Sequence, residues 1–86
     1  MNIRVSNLSL NTIDSHLRKL FSVFGEVDSA FVIRSNATGR SQGTAIVEMI
    51  NDSQAVQAIL FLNHKIVDGK KISVSEVEYS PNRYKN

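Results

Sequence analysis

A chain of 86 residues has room for one domain and little more. It has no cysteine, which excludes a disulfide framework and a thiolate metal site. A hydrophobic fraction of 42% argues against a disordered tail, and a net charge of +2 permits a polyanionic partner without requiring one. No apolar run is long enough to span a bilayer. Met1-Asn2-Ile3-Arg4 leads into an alternating segment instead of a signal peptide, so a cytoplasmic domain with no membrane partner is expected.

Ile3-Arg4-Val5-Ser6 alternates apolar and polar residues, the pattern of a half-buried strand. After a polar loop, Thr12 reads as a helix N-cap, and Asp14 lies in the first turn, where the helix dipole favours an anion. Ile13, Leu17, Leu20, Phe21 and Phe24 follow at helical spacing, and Gly25 reads as a left-handed closing cap. The β-formers of Val27–Arg34 predict a second strand. Alternation there puts Phe31 and Ile33 on one face and Ala30 and Val32 on the other. Residues 35–41 are a loop by composition, and residues 44–50 a third strand. Asn51 caps a second helix, with Gln54 at capping-box spacing and a buried stripe of Ala55, Ala58, Ile59 and Leu62. Asp68-Gly69 marks a hairpin turn, from which Lys70 and Lys71 lead into a last strand, Ile72-Ser73-Val74-Ser75. The domain is expected over residues 1–78, with a flexible polar tail over 79–86. Its core should hold Ile3, Val5, Leu17, Leu20, Phe21, Val32, Ala45, Val47, Ala58, Ile59, Leu62 and Val74.

The order β-α-β-β-α-β predicts an α+β, ferredoxin-like two-layer sandwich: two helices cover one face of a sheet and leave the other open. Two segments narrow this widely shared arrangement. Ile3-Arg4-Val5-Ser6-Asn7-Leu8 resembles the RNP2 motif of the RNA-recognition-motif family, and Gln42-Gly43-Thr44-Ala45-Ile46-Val47-Glu48-Met49 resembles its RNP1 motif. Thr38-Gly39-Arg40-Ser41, Ala58-Ile59, Leu62-Asn63 and Asp68-Gly69-Lys70 also sit where that family places such residues. The likeness covers roughly residues 1–78 and is nearest to the small single-domain members found in bacteria. It implies a four-stranded antiparallel sheet of order 4-1-3-2, with single-stranded RNA as partner on the open face.

The motifs depart from the family where it usually carries base-stacking aromatics. Those positions are Arg4, Thr44 and Ile46, while Gln42 stands at a position usually basic. The core-facing half of each motif is retained in Ile3, Val5, Gly43, Ala45 and Val47. A weakened or atypical RNA interface is therefore expected from Arg4, Ser6, Asn7, Phe31, Ile33, Arg40, Gln42, Thr44, Ile46, Lys71 and Ser73. On that expectation the Arg4 guanidinium would stack on a base while neutralising phosphate, Phe31 would offer a displaced ring, and Arg40, Lys70 and Lys71 would reach the backbone.

Blander readings of the same residues stand beside this one. Tyr79 and Tyr84 would cover Phe31 and Ile33 if the tail folds over the sheet; a one-residue slip would bury Phe31; Arg4 would pair with Glu48; Lys70-Lys71 would be a solvated hairpin. The alternative function is protein interaction or homodimer formation through an apolar patch of Phe31, Ile33 and Ile46. Peptide-binding relatives often show an acidic first helix, whereas this one turns basic at Arg18-Lys19. Catalysis is disfavoured. Asp14-Ser15-His16 diverge around a helix axis, His16 and His64 lack ligand companions, and neither a metal nor another cofactor is implied.

Overall fold

A computed structural model describes residues 1–78; the tail 79–86, with Tyr79 and Tyr84, lies outside the described residues. The elements are β1 (Asn2–Ser6), α1 (Asp14–Ser22), β2 (Val27–Arg34), β3 (Ser41–Met49), α2 (Asp52–Leu62), β4 (Ile66–Val67), β5 (Lys70–Lys71) and β6 (Ser73–Glu76). The main sheet is antiparallel in the order β2-β3-β1-β6. This is the expected 4-1-3-2 order, with β6 as its fourth strand. β4 and β5 form a separate small hairpin, so Lys70 and Lys71 belong to it and do not begin the last sheet strand. Asp68 (φ 52°) and Gly69 (φ 79°) turn that hairpin with the paired positive φ that a type I′ turn demands.

Alternation buries one side of every sheet strand. Ile3, Val5, Val32, Ala45, Val47 and Val74 face the helices and meet Leu17 and Phe21 of α1 and Ala55, Ala58 and Leu62 of α2. Leu20 and Ile59, expected in the core, are only partly buried at its margin, while Leu8, Val27, Met49 and Ile72 complete it.

Two predicted helix boundaries are corrected. Thr12 is buried and α1 starts at Asp14, with Ile13 as an N-cap that makes no side-chain cap. The Asp14 carboxylate instead accepts the Val32 amide at 2.8 Å. Gly25 is not in the left-handed region, and α1 ends in a right-handed C-cap at Val23. Gly25 is instead favoured by close approach: a Cβ there would lie 2.0 Å from Gln54 Oε1, which can swing away, and 2.9 Å from Gln54 Cβ, which moves less readily. The Asn51 cap stands as expected, its Oδ1 accepting the Gln54 amide at 3.0 Å.

Both edges of the sheet are partly covered. On β2, Asp14 takes the Val32 N–H while Arg18 Nη1 donates to the Val27 carbonyl at 2.8 Å. Beside β6, Asn63 Oδ1 accepts the Val74 amide at 2.9 Å, the Lys65 carbonyl accepts that of Ile72, and His64 N–H donates to the Ile72 carbonyl.

Candidate nucleic-acid interface

The face opposite the helices carries one row of side chains across all four strands. Phe31 pairs with Ile46, Ile46 with Arg4, and Arg4 with Ser75. Three strand spacings make that row about 14 Å long. Arg4 and Phe31 thus share a face, and the one-residue slip does not occur. On one side of the row lie Asn2, Glu48 and Ser29, also in register; on the other, Ser6 pairs with Ser73. Thr44, two residues before Ile46, shares its face and is half-buried.

Exposure within the row is uneven. Arg4, Ser73 and Ser75 are exposed, while Phe31, Ile33 and Ser6 are half-buried. Ile46 is only 4% exposed, flanked directly by Arg4 and Phe31. An exposed patch of Phe31, Ile33 and Ile46 is therefore not what the chain presents, and the interaction module built on it is not favoured. Arg4 lies opposite Ile46, one step from Glu48, and makes no ion pair among the described residues.

A bulge shapes the lower end of the face. Between Val32 and Arg34 the pairing shifts on β3 from Ala45 to Ser41. Gly43 sits inside that shift at φ 73°, and its carbonyl accepts the Leu8 amide at 2.9 Å. A side chain there would be strained in backbone and would crowd the Leu8 carbonyl at 3.2 Å. Gln42 is exposed beside it. Asn7 follows β1 at φ 59° and donates from Nδ2 to the Lys71 carbonyl at 2.8 Å, so its amide ties the small hairpin to the sheet. Arg40 is exposed at the end of a loop ordered by Ser35, whose hydroxyl accepts the Ala37 amide.

Pairing also sorts the charges. Arg34 and Arg40 join the Ser41 end of β3, and Lys71 is held by Asn7 at the adjoining end of β1. Glu48 pairs with Asn2 and Glu76 with Ile3, at the opposite end, where Asp28 also lies. The small net charge thus hides an uneven spread: one end is mostly cationic, while the end with Glu48, Glu76 and Asp28 also holds the Arg18 guanidinium and the Met1 ammonium, with Arg4 between the two. Sequence reasoning missed Arg34 and this segregation, because only strand pairing shows which charges share an end. Among the described residues no three His, Asp or Glu side chains group to hold a metal, and no helix is long and apolar enough to cross a membrane.

Comparison with known proteins gives concordant matches. The model of the RNA recognition motif family matches residues 3–73. Glycine-rich RNA-binding protein 1 of Mycosarcoma maydis is 35% identical over 92% of this chain and 45% of its own length. RNA-binding protein 24 of Danio rerio is 44% identical over 85% of this chain and 31% of its own. The chain thus spans less than half of either relative. Among solved structures, RNA Binding Protein PG1 superposes with a TM-score of 0.92 at 38% identity, covering 94% of this chain and 98% of that one. The Sxl-lethal protein solved in complex with RNA gives 0.80 at 32% identity, over 86% of this chain and 46% of that one.

Proposed function

We propose that this chain, which belongs to the RNA-recognition-motif family, binds single-stranded RNA on the open sheet face, toward its cationic end. The observation that carries the reading is the row Phe31–Ile46–Arg4–Ser75, with an exposed guanidinium and an aromatic ring on either side of a buried isoleucine. One base stacks on the Arg4 plane and another on Phe31, while Arg34, Arg40 and Lys71 neutralise phosphates. Ser6, Ser73, Thr44 and Gln42 supply hydroxyl and amide groups to base edges and sugar. Several relatives bear the name of RNA-binding proteins, and one fold neighbour was solved with RNA.

The face offers stacking surfaces and cations, the groups that suit binding. With two planar groups in place of three rings, affinity is modest and depends steeply on salt. The test is an amide-shift titration of the whole chain with short randomised RNA at low and moderate salt. Shifts are expected at Arg4, Ser6, Phe31, Thr44 and Ser73, shrinking as salt rises. Shifts confined to α1 and α2, or none at low salt, overturn the reading.

A further inference from the structure

The helical side of the domain, opposite the proposed RNA face, exposes more apolar surface than its fold requires. Val23 is 82% exposed, Leu60 71% and Phe61 68%, although Phe61 stacks on Phe24 with ring centroids 5.8 Å apart. Two concavities open here. One, of ≈ 300 Å³, is lined by Leu20, Val23, Phe24, Phe61, Leu62 and Lys65. The other, of ≈ 330 Å³, is lined by His16, Lys19, Leu20 and Val23. They share Leu20 and Val23, so they form one groove along α1, ending against Phe61 of α2. Its floor is apolar, its charged lining residues are Lys19 and Lys65, and no carboxylate lines it.

We propose that this groove docks a short acidic peptide that carries an aromatic or leucine anchor. The anchor lies on the Phe24–Phe61 platform beside Val23, where it removes exposed apolar surface from water. Carboxylates flanking the anchor meet Lys19 at one end and Lys65 at the other. Charge selects this occupant: a basic peptide would meet two like charges and find no counter-ion in the lining. The site is independent of the RNA face, because the whole sheet and core lie between them.

The probe is a synthetic peptide, acetyl-Glu-Asp-Glu-Phe-Leu-Asp-Glu-amide, titrated into the isotope-labelled whole chain at low salt. Saturable amide shifts are expected at Leu20, Val23, Phe61 and Lys65, and the same peptide with serine for Phe and Leu should not produce them. Phe61→Ser should weaken binding by about tenfold, the loss of one buried aromatic contact. Val23→Ser, at a position more exposed still, provides an independent check. Reversing charge with Lys19→Glu and Lys65→Glu should cost about fivefold, whereas Arg4→Ala, which alters only the RNA face, should leave peptide binding as it is. Absent shifts at millimolar peptide, or equal binding of the lysine-for-acid peptide, overturn the proposal. So do groove shifts that grow with protein concentration alone, which would make the occupant a second copy, or the same shifts on adding single-stranded RNA.

Discussion

The proposed RNA face can be strengthened by returning rings to two positions where the pairing leaves room. Arg4 is exposed in the middle of the row and Thr44 is half-buried beside it, so Arg4→Tyr and Thr44→Phe place rings over the open face without entering the helix-packed core. Ile46 is a poor third site, since at 4% exposure a larger side chain would displace Phe31 or Arg4. Thr44→Phe adds one stacked base, about 2 kcal/mol at the middle of the range of about 1–3 kcal/mol, whereas Arg4→Tyr exchanges one stacking plane for another. Removing the Arg4 charge forfeits one phosphate contact, worth about 0.8 kcal/mol at about 0.15 M salt for a single strand. The double variant should therefore bind about eightfold more tightly than the parent at the middle of that range. One released counterion fewer makes its salt slope shallower by about 0.7, so the advantage should grow about fivefold between about 0.05 and about 0.5 M salt. Fluorescence anisotropy with a labelled oligouridine measures both quantities, and circular dichroism checks that the variant is folded. A folded double variant with no gain, or a gain that shrinks as salt rises, would refute the reasoning.

Other expectations are simpler. Phe31→Ala should weaken the same oligouridine by about 1–3 kcal/mol, while Lys19→Ala on the opposite side leaves it unchanged in the same anisotropy assay. Asn51→Ala removes the acceptor for the Gln54 amide, and should cost about 1 kcal/mol of stability in urea denaturation with no change in RNA affinity of the folded fraction. Gly25→Ala drives a methyl into Gln54 and should cost about 1–3 kcal/mol. Gln54→Ala should restore only part of that loss, because the contact with Gln54 Cβ at 2.9 Å persists.

Much of the fold was legible because local chemistry and global pairing agree. Alternation in Ile3-Arg4-Val5-Ser6 and in residues 44–49 fixes which side is core, and Asp68-Gly69 and Asn51 have the backbone roles their residue types suggest. The misreadings share a cause: the residue type fitted a local role, while a distant neighbour set the real one. Thr12 resembles a cap, yet Asp14 begins the helix and spends its carboxylate on the Val32 amide of β2. Gly25 stands where a closing glycine would, yet the approach of Gln54 from α2 is what excludes a side chain. The candidate site follows the same pattern. Period-two spacing placed Phe31, Arg4 and Ile46 on one face, but the burial of Ile46 depends on which residues flank it across the ladder. Asn7 and Arg40 lie in loops and Lys71 in the small hairpin, and no periodicity encodes how these segments run; only the Asn7 bond to the Lys71 carbonyl shows that two of them meet.

The partly covered sheet edges bear on how copies would behave with many bound to one transcript through the proposed face. Neighbours held side by side along an RNA reach high local concentrations, conditions that promote strand-to-strand zippering between proteins with bare edges. Here a second copy meets the Asp14 carboxylate and the Arg18 guanidinium at one edge and the segment from Asn63 to Lys65 at the other, in the places where an incoming strand would bond. On the proposed reading, copies crowded along one RNA have fewer free edge positions through which to zip together.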